Sequence, residues 1–429
     1  MSTVAIHTLG CKVNSYESQA MLKEFVEHGY NEVDFKSEAD VYVINTCTVT
    51  NTGDSKSRQM IRKAIRNNPN AIVCVVGCYS QIAPDEIEAI EGVSVVLGTQ
   101  YRNQIMQFVE QYQETKETII KVDNVMNLQK FEDLNIDRFK NTRAYIKIQD
   151  GCNNFCTYCI IPYARGRVRS RIKESVLEQI ATLVKKGYVE IVLTGIHTAG
   201  YGEDFEDYNF YCLLKDIVQI EGLKRLRISS IEISQLTKEI MELIEDSHII
   251  VDHLHVPLQS GHDATLKRMN RKYNTEQYLA KIKEIKEHIP TVKFTTDVIV
   301  GFPGETVEEF EGTYAFIQKV GFSMLHVFPY SIRKNTPASK MKDQVNDQIK
   351  HERTTRLVQL SNQLLEETSK QAIGETYEVL FEKKVGDGYI GHATNYLQVV
   401  VESDKNIIGT IQKVVVESYD EKLKGRVVE

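Results

Sequence analysis

The chain has 429 residues, 42% of them apolar and 26% charged, and its 52 Lys+Arg against 59 Asp+Glu leave a net charge of −7. This composition excludes a disordered or low-complexity chain and a protein that coats nucleic acid through overall basicity; the length implies two or three domains. No apolar run reaches membrane-spanning length and the opening Met1–Leu9 is a short β-like run rather than a signal peptide, so a cytoplasmic protein is expected. In that reducing compartment the eight cysteines read as metal or redox chemistry, not as a disulfide framework.

In chain order, β-rich runs at Val4–Leu9, Val41–Asn45, Ile72–Gly77 and Val93–Leu97 alternate with amphipathic segments, the βαβ pattern of a parallel-sheet α/β domain over 2–112. The polar stretch Gln111–Thr142 reads as a connection, with 113–137 its linker. Strands are expected again at Ala144–Gln149, Val189–Leu193, Arg225–Ser229, His253–Pro257, Thr295–Val300 and Ser323–Phe328, followed by a long helix from Asn346 to Gln371. Six β/α units over 138–370 predict a partial (β/α)6 barrel rather than the closed eight-unit form. Over 371–429 the runs Tyr377–Phe381, Tyr389–His392, Leu397–Val401 and Ile407–Val416 alternate with turn residues and predict a small antiparallel β-barrel.

Two sets of cysteines carry the chemistry. Cys152, Cys156 and Cys159 form a Cys-x3-Cys-x2-Cys run in one loop after the first barrel strand. Three thiolates on a cluster that wants four ligands leave one iron open to a small molecule; a structural zinc site would need a fourth Cys or His nearby, and none follows. Cys11, Cys47 and Cys78 are far apart in sequence, but each follows a predicted strand. In a parallel sheet those turns share the carboxyl edge, where ligand sites form, so the three can meet. Cys74, inside a strand, and Cys212, in a predicted helix over Tyr208–Ile220, are assigned to packing.

The Cys152/Cys156/Cys159 run, with Tyr158 before its last cysteine, resembles the cluster motif of the radical S-adenosylmethionine (SAM) superfamily. Together the two sets resemble the methylthiotransferase family, through Leu9-Gly10-Cys11-Lys12-Val13-Asn14, Asn45-Thr46-Cys47-Thr48-Val49, Gly77-Cys78, Gly151-Cys152 through Arg171, Pro257-Leu258-Gln259-Ser260-Gly261, Met269-Asn270-Arg271 and Gly301-Phe302-Pro303-Gly304-Glu305-Thr306. The likeness covers nearly the whole chain and implies an N-terminal cluster domain, a radical SAM domain and a C-terminal TRAM domain. It also implies two [4Fe-4S] clusters. One, on Cys152/Cys156/Cys159, cleaves SAM to a 5′-deoxyadenosyl radical, and an auxiliary one, on Cys11/Cys47/Cys78, carries the sulfur to be inserted. The wording Cys11-Lys12-Val13-Asn14-Ser15-Tyr16-Glu17-Ser18 resembles the bacterial branch that adds a methylthio group to C2 of N6-threonylcarbamoyladenosine at position 37 of tRNA. The isopentenyladenosine branch has Gln-Met after that cysteine, and the branch modifying ribosomal protein S12 has Pro-Lys. An anticodon stem-loop, an electron donor and a sulfur donor are the implied partners. The rival of another class is a non-catalytic iron–sulfur RNA-binding protein, which would never cleave SAM.

The remaining features are weaker. Arg165, Arg167, Arg169 and Arg171 lie in a run of cations without an acid and read as a phosphate-contacting rim for tRNA. Lys56, Arg58, Arg62, Lys63 and Arg66 form a second basic stretch, balanced between a solvated helix face and tRNA contact. Gly195, Glu232 and Gln259 fall at or after predicted strand ends where SAM would lie, while Gly301–Thr306 lacks the Gly-Lys-Ser/Thr ending of a phosphate loop and reads as a strand-end turn. The tail is acidic, with seven Lys+Arg against ten Asp+Glu over Gln371–Glu429, so RNA contact there would rest on Lys383-Lys384 with Tyr389 and Tyr396 for stacking.

Overall fold

The computed structural model describes residues 2–139 and 142–428. Its first unit is a six-stranded parallel sheet, ordered Asn31–Glu32, Thr3–Thr8, Val41–Thr46, Ile72–Gly77, Val95–Leu97 and Ile119–Lys121. The central strands Val41–Thr46 and Ile72–Gly77 are buried at every residue because both faces are covered. Val41, Val43, Cys74 and Val76 pack on one face against Met21, Phe25 and Val109, while Tyr42, Ile44, Val73 and Val75 pack on the other against Ile61 and Ala64.

Two edge strands depart from the sequence expectation. Asn31–Glu32 is two exposed polar residues, and Ile119–Lys121, which pairs with Val95–Leu97, lies in the stretch read as a connection. That stretch is a packed strap: the helix Ile105–Thr115 crosses residue 112, and Leu134, Ile136 and Phe139 are buried in the core of the central unit. Isolated apolar residues that dock on a surface made elsewhere leave no period in the sequence.

Six parallel strands make the central unit, in sequence order: Ala144–Lys147, Glu190–Thr194, Arg225–Ile228, His253–His255, Lys293–Val300 and Met324–Pro329. Isolated bridges Leu226–Ile250 and Ser230–His255 join the two three-stranded halves, so the arrangement is the expected open barrel. Side chains alternate along each strand. Ala144, Ile146, Ile191, Leu193, Leu226 and Phe294 join the apolar core with Val176, Ile180 and Leu183 of the helix Lys173–Lys185. The alternate positions Glu190, Arg227, His253, His255, Thr295 and Asp297 pair with one another on the inner side. A closed eight-strand barrel fills its interior with branched apolar layers, whereas this lumen is polar. The helix Asp347–Gln371, capped by Asn346, seals the last strand through Leu357, Leu360 and a Ser361 hydroxyl that accepts from Leu325 N at 2.9 Å.

The C-terminal unit is a closed five-stranded barrel of Thr376–Val385, Gly388–Ala393, Gln398–Glu402, Ile411–Asp420 and Lys422–Val427. It is not wholly antiparallel, because Gln398–Glu402 and Lys422–Val427 pair in parallel to close it. Both aromatics expected to stack on RNA have structural roles instead. Tyr389 is buried in the barrel core. Tyr396 is stacked between His253 and His392, at centroid distances of 4.6 and 4.7 Å, and Arg227 lies over its ring. It closes the base of the central lumen. Among the described residues no helix is long and apolar enough to cross a membrane.

The sheet unit is held to the barrel by a sealed charge network. Glu17, on the helix Lys12–Glu27, takes Lys147 Nζ at 2.8 Å, Arg165 Nη1 at 2.8 Å and Arg102 Nε at 3.3 Å, and Asp150 takes Lys147 at 2.6 Å and Arg165 at 3.1 Å. Burial alone would push the Glu17 carboxyl up, but the three cations outweigh it and hold it at about 2. Glu17→Gln would strand buried cations, and about 3–5 kcal/mol of stability should be lost in chemical denaturation. Because the carboxyl is depressed from 4.5 to about 2, its contribution is complete above pH 4.5 and fades as pH falls through 2. The wild-type denaturation midpoint should therefore fall over that window, and fall less in the variant; parallel titrations would contradict this.

Candidate functional site

The loop holding Cys152, Cys156 and Cys159 leaves the first barrel strand at Gly151, where φ is +75° and an added Cβ would sit 1.9 Å from Arg167 O. A second segment clamps it. Thr157 N donates to Met269 O at 3.1 Å, Thr157 Oγ1 to Arg268 O at 2.8 Å, and Asn270 Nδ2 to Phe155 O at 3.2 Å. Cys159 N closes a turn onto Cys156 O at 3.0 Å. Arg271 donates to Cys156 Sγ at 3.4 Å and pairs with Glu232. Burial pushes the Cys152 and Cys159 thiols up to about 12, so as free thiols both are neutral at pH 7. Three cysteines gathered in one loop suit a site where a metal cluster supplies the charge that makes them thiolates.

Of the four residues expected around SAM, three divide between two cavities and Gly195 lines neither. Tyr158, half-buried and edge-on to Phe302, and Gln259, at φ +66°, line a cavity of about 260 Å³ with Cys159, Asp297 and Ile299. Glu232 lines a smaller one of about 80 Å³ with Cys156, His197, Gln235 and Arg271. Gly195 is a close approach, where a Cβ would lie 2.9 Å from Gln149 Oε1. The loop Gly301–Thr306 is the strand-end turn expected of it, its Glu305 accepting from Gly301 N at 2.8 Å and pairing with Arg353.

Cys11, Cys47 and Cys78 stand at the carboxyl edge of three adjacent strands. Thr46 opposes Gly77, so Cys47 and Cys78 leave the sheet side by side, and Leu9 N donates to Asn45 O at 2.9 Å to bring the first turn alongside. At Gly10, φ +104°, an added Cβ would lie 3.1 Å from Cys47 Sγ, which measures how tightly these turns meet. Buried Asn14 ties them: its Nδ2 donates to Leu9 O and Thr46 O at 2.7 and 2.9 Å, and its Oδ1 accepts from the Cys11 thiol at 3.7 Å. Burial raises Cys47 and raises Cys78 to about 12, against the opposing pull of Arg165.

The chain that leaves the first trio reaches the second through Arg165. This residue ends the helix Ile161–Arg165 that follows Cys159, donates through Nε to Cys78 Sγ at 3.2 Å and through Nη2 to Asn14 Oδ1 at 2.9 Å, and is itself held by Glu17 and Asp150. This corrects the reading of a phosphate rim for Arg165, Arg169 and Arg171, though not for Arg167. Arg165, Arg169 and Arg171 are sealed in the interior, with Arg171 bound to Gln179, Ser175 and Asn135 and Arg169 to the carbonyls of Arg165 and Arg167. Arg167 is exposed, over the Phe155 ring. The run carried no acid of its own because its partners Glu17, Asp133 and Asp150 lie elsewhere in the chain. Sequence reasoning also missed Asn14 and Arg271 as residues that touch the thiols; both stood inside motifs already noted.

The 260 Å³ cavity is roofed by Val49 and Thr50, just beyond Cys47, and opens into a groove of about 570 Å³ that shares Thr50, Phe328, Pro329, Tyr330 and Ser331 with it. The roof is latched by Arg333, which pairs with Asp54 at 2.7 Å and donates to Thr48 and Asn51. Val49, Phe328 and Ile332 are each more than two-fifths exposed at this mouth. Of the second basic stretch, Lys56, Arg62 and Arg66 are exposed on the helix Asn51–Asn67, which starts there; Arg58 is engaged by Tyr79.

A loop with three cysteines on an open six-strand barrel defines a radical SAM protein, and the profile of the Radical SAM superfamily matches residues 146–317. A second profile, described as uncharacterized protein family UPF0004, matches residues 3–98. The chain is 52% identical over 421 residues, 96% of its length and 93% of the relative's, to threonylcarbamoyladenosine tRNA methylthiotransferase MtaB of Bacillus subtilis. It is 40% identical over 378 residues to the protein of the same name from Aquifex aeolicus, covering 88% and 92% of the two chains. To a tRNA-2-methylthio-N(6)-dimethylallyladenosine synthase of Clostridium botulinum it is 37% identical over 439 residues, 99% and 95% of the chains. The radical SAM methyltransferase TsrM of Kitasatospora setae shares the fold alone, with TM-score 0.58 at 14% identity over 79% and 77% of the chains. The chain belongs to the radical SAM methylthiotransferase family, and as a radical SAM protein it uses SAM and a [4Fe-4S] cluster.

If both trios hold four-iron clusters, anaerobically reconstituted protein should bind about eight irons per chain. Replacing Cys11, Cys47 and Cys78 together by Ala should leave about four; retention of the full complement would show that this trio holds no cluster.

Proposed function

We propose that the chain is a tRNA methylthiotransferase that places a methylthio group on C2 of N6-threonylcarbamoyladenosine at position 37, in the anticodon loop. The observation that carries the reading is Arg165, which follows the first cysteine trio and touches Cys78 of the second, so both trios serve one reaction space. The names of the two MtaB relatives supply the substrate.

In this reading Cys152, Cys156 and Cys159 hold the SAM-cleaving cluster, and Cys11, Cys47 and Cys78 hold a second [4Fe-4S] cluster. When bound, these groups and SAM supply a carbon radical and activated sulfur, chemistry that no side chain here can provide. The chain's own residues position and shield. Arg271 fixes the Cys156 end of the loop and holds Glu232 beside it. Tyr158, Gln259 and Glu232 line the space for SAM, with Tyr158 and Ile299 shielding it, and Gly195 lies against Gln149 at the end of its strand. A base at position 37 can be splayed from its stack, and Phe328 and Val49 offer apolar contact at the mouth. Lys56, Arg62 and Arg66 lie where backbone phosphates would follow, in place of the sealed arginines. An external electron donor and a sulfur donor complete the cycle.

Reconstituted protein given reductant, SAM and threonylcarbamoylated tRNA should make the 2-methylthio nucleoside; no such product, with 5′-deoxyadenosine still formed, would defeat the assignment. Cys152→Ala, Cys156→Ala or Cys159→Ala should each abolish 5′-deoxyadenosine formation. Cys11→Ala should keep part of that cleavage and lose the methylthio product, and equal loss of both would contradict the division between the trios.

A further inference from the structure

We propose that the polar lumen contains a subsite for a carboxylate carried by the substrate base, with Lys12 as its main donor and His326 beside it. The inference rests on the tRNA reading above and names what that site recognises.

Lys12 follows Cys11 directly, as the first residue of the helix Lys12–Glu27, so its side chain starts beside the second cysteine trio. It is solvent-exposed, yet the charged groups around it belong to the lumen: Arg143, Arg227 and His326, with Glu190 the nearby acid. That acid is already committed. Glu190 takes Arg227 at 3.0 Å and Arg225 at 3.7 Å. Glu382 holds Arg143 at 2.5 Å and His392 at 2.6 Å, and Asp297 faces His255 at 3.3 Å. Among the described residues Lys12 has no ion-pair partner, so a chain of net charge −7 keeps an unpaired ammonium inside its reaction space.

The surroundings have spare capacity for a polar ligand. His255 is fixed, with Nδ1 on Thr295 at 2.9 Å and Nε2 toward Asp297. His326 is exposed, makes no hydrogen bond among the described residues, and has a ring nitrogen within 4.8 Å of the His255 and Asp297 ligand atoms. Among the described residues His253 Nδ1 and Ser229 Oγ, both buried, have no partner. A buried polar atom without a partner is costly, and a ligand with several polar groups removes that cost.

The chemistry of the base fits this placement. In adenine, C2 and C6 flank N1, so a base that offers C2 to the cysteines directs its N6 substituent to the neighbouring wall. A threonylcarbamoyl group brings a carboxylate for Lys12 and His326, and N–H and hydroxyl donors for Asp297. A dimethylallyl group would bury the ammonium against hydrocarbon with nothing to pair it.

The test uses the reconstituted full chain and two anticodon stem-loops that differ only in carrying the threonylcarbamoyl acid or its carboxamide. Wild type should favour the acid by about tenfold or more in kcat/KM, the size of a charge-assisted hydrogen bond. Lys12→Gln should raise KM for the acid by about that factor with kcat little changed, and bring the two substrates level; Lys12→Arg should restore part of the preference. Wild type that treats both alike, or Lys12→Gln that keeps the acid preference, would overturn the proposal. Should Lys12→Gln fail to hold its iron, the wild-type comparison decides by itself. Absence of methylthio product from both stem-loops with wild type is a different result and defeats the tRNA reading instead.

Discussion

Glu17 and Asp150 face Lys147, Arg102 and Arg165 inside the protein, and every other arrangement at the site depends on that meeting. Glu17 comes from the sheet unit, while Lys147, Asp150 and Arg165 come from the barrel. Charges taken from water gain little net stability over a well-packed apolar contact, but they tolerate no misregistration, because each unmatched charge costs several kcal/mol. The network therefore acts as a locator. It fixes the angle at which the sheet edge meets the open barrel, and Arg165 carries that registration to the sulfur of Cys78. Its guanidinium serves four tasks at once, to Glu17, Asp150, Asn14 and Cys78, which Lys with its single ammonium could not do.

The open barrel makes sense in the same terms. Six strands do not close, and the lumen stays free of the apolar layers that would fill it. The sheet unit covers the carboxyl end, with Val49 and Thr50 as a roof latched by Arg333, and Tyr396 of the small barrel closes the base between two histidines. A chamber walled by three units shelters the reaction space, and a groove of about 570 Å³ lies at its mouth.

What could be read from sequence was whatever repeats or sits at a fixed spacing. The barrel strands showed as apolar runs, and Cys47 and Cys78 were placed together because each follows a strand of a parallel sheet, a relation the Thr46–Gly77 register bears out. Residues whose meaning comes from distant partners were misread. Arg165, Arg169 and Arg171 looked like a free basic run, since nothing local announced Glu17 or Asp133. Tyr389 and Tyr396 looked available because a short strand and a turn do not reveal which side faces a neighbour. The strap through Leu134, Ile136 and Phe139 was invisible for a related reason: three apolar residues without a period are shaped by the surface they cover.

The central claim is that the two cysteine trios hold paramagnetic centres close enough to act in one chamber, an arrangement set by Arg165 and its acids. Electron paramagnetic resonance of the reduced, reconstituted protein tests it most directly. The account predicts a spectrum broadened by interaction between two clusters, which collapses to a simple single-cluster signal when Cys11, Cys47 and Cys78 are replaced by Ala. A wild-type spectrum that is the plain sum of two non-interacting clusters would contradict it.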